Sequence, residues 1–372
     1  MEKDIKINQI SSEIEEETSK TVIAIRFLLM VFIVFIHSNA VTSYWDENSV
    51  EHLYDIPLVA NVIILFFTQI LSRCAVPLFF MISGYLCYEK NYSYSVLIKK
   101  KMRSLVIPFF IWPILYLILF FIRTVLFHVD NPYMHLKLSD WFSVFIGKYN
   151  FNSLPTNPTL VFQFWYIRDL ILLFLISPVL KRILDKKPFL LIFFVILLWM
   201  QKSNFYHKNA SQGICFFVIG MYFSKQKVNI SNLNFISIKE VLLILLILCP
   251  VDIYLLLNEN ELSICHEFNI LVLSVLILKI GYWIQSRQKF YDIQKFLADY
   301  SFWMFALHQP ILQPLIINVY KRCLSSTIIY GGGWKILEFF ITSFITVFVC
   351  VITGFLMKKI FPNIFKIMVG GR

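Results

Sequence analysis

Seven residues of this chain carry charge or an imidazole inside otherwise apolar runs: Arg26, His37, Arg73, Arg168, Asp169, Asp252 and His308. A charge at the centre of a membrane-spanning helix costs roughly 2.5–3.5 kcal/mol or more, so residues kept there tend to have a task. An imidazole can take a proton from a hydroxyl or carry a transferred group itself. A guanidinium can grip phosphate or stabilise a developing oxyanion. The set therefore suits group transfer, with paired imidazoles and arginines as its working parts. Metal chemistry is not expected. The seven cysteines include no pair in CxxC spacing and mostly sit among apolar neighbours, where they read as small hydrophobes.

Arg26 and His37 are eleven positions apart in one apolar run. At about 100° per residue, three turns bring both to one face of a helix, about 16 Å apart along its axis. Arg73 lies four residues before Pro77, which cannot donate to the Arg73 carbonyl, so a kink is expected there. In a membrane such a break is tolerated only where it is buried in protein or lines a wet cavity. Ser83-Gly84 follows, and allows another backbone to come close, which serves helix packing as well as a ligand. Lys99-Lys100-Lys101-Met-Arg103 is a basic cluster at a membrane edge. Such a cluster fixes topology or binds anionic lipid, and can also clamp phosphates. Arg168 and Asp169 are adjacent on a helix, point about 100° apart, and are expected to pair with other helices, Asp169 with Arg73 being one arrangement. His308 comes just before Gln309-Pro310 and is a second imidazole. Lys279 sits near the end of its run and can snorkel to headgroups. Asp252, after Pro250, has no assigned role.

The elements that must position these groups follow from composition. Of 372 residues, 58% are hydrophobic and 15% charged, and the mean hydropathy is +0.69. Soluble domains carry about 25% charged residues. A soluble enzyme, a disulfide-knit secreted domain and a disordered scaffold are excluded on these grounds. The chain reads as an all-α integral membrane protein of about ten transmembrane helices. Taking about 20 apolar residues per span, the spans are expected at residues 22–44, 58–88, 104–127, 160–180, 188–201, 211–224, 239–257, 267–284, 297–319 and 336–357. Residues 1–20, with Glu13, Glu15, Glu16 and Glu17, read as a polar cytoplasmic tail unlike a signal peptide, and 361–372 as a second cytoplasmic tail. With both termini cytoplasmic, 22 of the 34 lysines and arginines fall on the inner side, eight on the outer and four within spans. This is the bias of the positive-inside rule. The net charge of +11 then faces anionic membrane lipids, and no nucleic-acid partner is expected.

Over most of its length the chain resembles the acyltransferase-3 family of bacterial integral-membrane O-acyltransferases. The resemblance rests on Arg26 with His37, on Ser72-Arg73-Cys-Ala-Val-Pro77-Leu-Phe-Phe-Met-Ile-Ser83-Gly84-Tyr85, on Trp165-Tyr-Ile-Arg168-Asp169-Leu, on Ser177-Pro178 and on Ala306-Leu-His308-Gln309-Pro310. A basic pair linked in the family to the acyl donor is matched by Lys100 and Arg103, with Lys in place of Arg at the first position. The resemblance implies a bundle in the bacterial cytoplasmic (inner) membrane. It would move an acyl group, most often acetyl, from cytoplasmic acetyl-CoA to a hydroxyl of a surface glycan or lipid-linked saccharide. Arg26, Lys100 and Arg103, with Ser83 and Gly84, would hold the donor. His37 would act as general base or acyl carrier, Arg73 would stabilise the oxyanion, and Asp169 and His308 would complete the catalytic set. Many spans and buried charges also suit a transporter or flippase for a lipid-linked polysaccharide, and the missing internal repeat speaks against it.

Overall fold

The structure, a computed structural model, describes residues 2–38, 57–90, 92–128, 161–201, 205–258 apart from 232 and 234, 264–323 and 332–371. All regular structure among these is helical. Six helical stretches are long and apolar enough to cross a membrane: Glu16–Ile36, Leu58–Glu89, Tyr94–Leu126, Ile238–Leu257, Ile264–Gln285 and Gly333–Ile360. They coincide with six of the ten expected spans. The other four differ for physical reasons. Helix Trp165–Lys186 has the length but carries charges at both ends, Pro188–Met200 is short, and Phe205–Lys225 opens on a polar turn. The expected span at 297–319 is broken into two pieces by a kink at His308 to Leu312, where Gln309 leaves helical geometry.

In chain order the helices are α1 (Glu2–Ile36), α2 (Leu58–Leu65), α3 (Ala75–Glu89), α4 (Tyr94–Lys101), α5 (Ile107–Phe127), α6 (Trp165–Lys186), α7 (Pro188–Met200) and α8 (Phe205–Lys225). Then come α9 (Ile238–Leu257), α10 (Ile264–Gln285), α11 (Gln288–Ala298), α12 (Ser301–Leu307), α13 (Gln313–Cys323), α14 (Gly332–Ile360) and α15 (Pro362–Met368). The polar N-terminal stretch is not a separate tail but continues helically into α1. The expected C-terminal tail forms α15, with Phe365, Met368 and Val369 buried and the Met368 carbonyl accepting from Trp112 Nε1 at 3.1 Å.

Interior packing depends on where glycine lets backbones meet. A Cβ at Gly84 of α3 would lie 1.9 Å from the Phe217 carbonyl oxygen of α8, and one at Gly220 of α8 would lie 1.9 Å from the Met81 oxygen of α3. Each helix thus seats its glycine on the other's backbone, the close approach that small residues permit in membranes. α1 is enclosed by α10, α12, α14 and the α2–α3 stretch. Gly281 of α10 fits over Thr21 and Ile25, and the Phe35 ring lies 5.4 Å from Phe339 of α14.

One end of the bundle is basic. There Lys225 Nζ donates to the Leu184 carbonyl at 2.9 Å and Lys279 Nζ to the Leu233 carbonyl at 2.8 Å. Lys358 pairs with Asp299 at 2.7 Å. Lys279 thus ends on a connecting loop, satisfying the carbonyl of Leu233 in addition to any headgroup contact. Large apolar side chains along α5, α7, α9 and α14 remain exposed, as lipid-facing surfaces require.

Candidate active site

His37 sits where α1 ends. Its backbone N–H still donates to the Ile33 carbonyl at 3.3 Å, so helical register holds from Arg26 to His37. The two residues therefore keep the expected common face and an axial separation of about 16 Å. The half-buried His37 ring meets Phe162 edge-on at 4.9 Å and lies 5.4 Å from the His308 ring, the planes inclined at 32°. Two imidazoles distant in sequence are thus brought face to face.

His308 reaches this place because its helix breaks. Gln309 has extended backbone angles (φ −128, ψ 155), the conformation a residue before proline prefers. The break frees carbonyls that would be unsatisfied inside a bundle. Tyr116 O–H donates to the Ala306 and Gln309 carbonyls, both at 3.0 Å. Gln163 Nε2 donates to the Gln309 carbonyl at 2.8 Å. Gln313 Nε2 donates to the Val34 carbonyl at 3.0 Å and ties α13 to the last turn of α1. None of these three residues stands out in the sequence, because one Tyr and two Gln among many carry no periodic or motif signal.

The His308 side chain has 0% exposure. Its Nδ1 lies 3.0 Å from the Met304 carbonyl oxygen. A carbonyl only accepts, so in the neutral ring Nδ1 bears the hydrogen and Nε2 the lone pair. Nε2 is buried and has no hydrogen-bond partner among the described residues.

Arg73 stands on a tight turn, Leu71–Cys74, that follows a widened turn at Phe66–Ile70. The irregularity lies just ahead of Pro77, where the sequence predicts a kink. Arg73 Nε donates to Gln69 Oε1 at 2.8 Å, and Nη2 reaches the same oxygen. The guanidinium lies within electrostatic range of the His37 ring.

The remaining predicted residues divide. Arg168 and Asp169 are expected to face apart, yet Arg168 Nε donates to Asp169 Oδ1 at 2.8 Å, with the two residues 9% and 8% exposed. The long arginine side chain spans the angle between adjacent helical positions, so these two charges do pair with each other. Arg26 is half-buried near Asp299, whose carboxylate is held by Lys358. Lys100 lies over the Tyr92 ring at 3.6 Å, and Arg103 stands beside Gly371, whose Cβ position is 3.6 Å from Arg103 Nε. Arg26 makes no direct contact with either basic residue among the described side chains. Gly84 is filled by the α8 backbone, so the space a ligand would need there is taken by helix packing, while the neighbouring Ser83 is half-buried. Among the described residues no three His, Cys, Asp or Glu side chains are grouped to hold a metal.

A second buried polar cluster joins α9 to α10. Asp252 Oδ2 lies 3.0 Å from His266 Nδ1 and accepts from Asn269 Nδ2 at 2.8 Å. His266 falls just outside the expected span, which hides it from a search for polar residues at depth.

Long apolar helices of this kind, with two facing imidazoles and a half-buried arginine set among them, are those of a multi-pass membrane protein. The acyltransferase-domain family model matches residues 20–355, and the chain belongs to this acyltransferase-3 family. It is 24% identical over 365 residues to the succinoglycan biosynthesis protein ExoH of Rhizobium meliloti (strain 1021), a match covering 93% of this chain and 90% of that protein. No solved structure matches it.

Proposed function

We propose that the protein transfers an acyl group, acetyl in the simplest case, from acyl-CoA to a hydroxyl of a cell-surface or lipid-linked glycan. The observation that carries this reading is the meeting of His37 and His308 in a buried site, with Arg73 beside them. The succinoglycan role in the name of the relative ExoH supports a polysaccharide acceptor. The basic end supports a cytoplasmic face, with both termini inside and the bundle in the inner membrane of a bacterium.

The parts divide as follows. Lys100, Arg103 and Arg26 attract the phosphates of coenzyme A at the basic end. Arginine grips phosphate through its planar fork, and lysine contributes a point charge. The thioester extends along α1 towards His37. Arg73, held by Gln69, stabilises negative charge on the carbonyl oxygen in the tetrahedral state. His37 either accepts the hydroxyl proton or carries the acyl group. Asp169 holds Arg168 and keeps the α6 end of the site neutral overall.

Proteoliposomes given radiolabelled acetyl-CoA and crude glycan test the reading. Label should move into glycan, and the folded His37→Ala protein should transfer it about 10²–10⁴-fold more slowly, the span of positioned acid–base catalysis. Glycan that stays unlabelled with every short acyl-CoA offered would remove the acyltransferase reading in favour of transport.

A further inference from the structure

The two imidazoles of the site are held differently, and the difference assigns them different work. His308 is anchored by Nδ1 to the carbonyl of its own helix at 3.0 Å. The two ring nitrogens point to opposite sides of an imidazole, so Nε2 is turned away from that helix, with its lone pair buried and unpartnered among the described residues. A fully buried acceptor without a donor costs about 1–3 kcal/mol, so the position is retained against that cost. The surrounding clamp of Tyr116 and Gln163 acts on the backbone on both sides of His308, while Gln313 ties the next helix to α1. His37, by contrast, makes no ring hydrogen bond among the described residues and lies against the rings of Phe162 and His308. A base must have its lone pair fixed in place. A nucleophile that is to bond covalently must have its own lone pair unengaged.

We propose that His308 Nε2 is the proton acceptor of the reaction and that His37 is the nucleophile that carries the acyl group. This rests on the acyltransferase reading above and settles which of the two roles His37 has. In the first half-reaction a His37 ring nitrogen attacks the thioester carbonyl carbon. The C–N bond forms, the C–S bond breaks, and coenzyme A leaves as thiolate. The proton on the other His37 nitrogen passes to His308 Nε2 and from there to the thiolate, leaving neutral acyl-imidazole and free thiol. In the second half-reaction the acceptor hydroxyl attacks the acyl carbon as its proton goes to His308 Nε2. The C–O bond forms and the C–N bond breaks. The proton on His308 returns to the other His37 nitrogen, so the departing nitrogen leaves with its lone pair and both rings regain their starting tautomers. One thioester and one hydroxyl become one ester and one thiol, with no oxidant or reductant.

The full-length protein in proteoliposomes, with radiolabelled acetyl-CoA and no acceptor, tests this. The wild-type protein should release a burst of about one thiol per chain and retain label that hydroxylamine removes, on the peptide containing His37. His37→Ala should retain none. His308→Gln keeps a donor for the Met304 carbonyl and should label at least 10²-fold more slowly, with size-exclusion behaviour unchanged. Glycan acylation by the wild-type protein with no trappable label would overturn the proposal and leave the acyltransferase reading standing. Equal labelling rates for His308→Gln and wild type would overturn the role of His308. Neither burst nor ester would sink both together.

Discussion

The molecule buries two imidazoles beside polar partners at two places, and they are built in opposite ways. Between α9 and α10, His266 is bound to the carboxylate of Asp252, which also accepts from Asn269. That arrangement joins two helices through one carboxylate oxygen, Asp252 Oδ2. At the end of α1, His308 is anchored through Nδ1 to backbone of its own helix, its Nε2 has no partner among the described residues, and the ring facing it is His37. An imidazole matched to a carboxylate across a helix interface contributes to association. One whose second nitrogen is left open contributes little to association and is available for chemistry.

Substitutions can break or sharpen this contrast. The largest effect is expected at His37→Ala, a loss of about 10²–10⁴-fold in turnover with folded yield and melting temperature near those of wild type. Asp252→Ala should do the reverse. Removing the carboxylate takes the hydrogen-bond acceptor from the buried Asn269 and the carboxylate partner from His266, and should destabilise the bundle by about 1–3 kcal/mol, read as a lower melting temperature in detergent with turnover per folded molecule retained. A folded Asp252→Ala protein without activity would show that the two clusters are not separate in function. Gly84→Ala should cost a similar amount, about 1–3 kcal/mol, because its Cβ would meet the Phe217 carbonyl oxygen at 1.9 Å. Arg26→Ala should raise KM for acyl-CoA about tenfold and leave kcat little changed, as expected for a lost contact to a charged group. The smallest effect is expected at Lys100→Ala. Lys100 lies over the exposed Tyr92 ring and offers phosphate only a solvent-screened point charge, so KM for acyl-CoA should move no more than about threefold in low-salt buffer.

Much of the site is readable from local rules. The spacing of Arg26 and His37 survives because helical period alone sets it. The irregular turn carrying Arg73 follows from Pro77, and the broken helix at His308 from Pro310. What could not be read is tertiary. No local pattern announces that His37 and His308 meet, or that Tyr116 and Gln163 would satisfy the carbonyls the break sets loose. The partner of Asp252 is hidden because His266 lies at a helix end and not at depth. Arg168 and Asp169 mislead because ideal helical angles take no account of a flexible four-bond side chain. The ten expected spans follow apolar length, and length alone does not register that α12 and α13 are parted by a kink or that α6 bears charge at both ends.

The paired glycines of α3 and α8 carry a mechanical consequence. With each backbone seated in a notch of the other, neither helix can slide along its neighbour without a carbonyl colliding with a side chain one residue away. These two helices move as one body. Relative movement in the bundle is left to its irregular segments, the kink after α12 and the widened and tight turns ahead of α3.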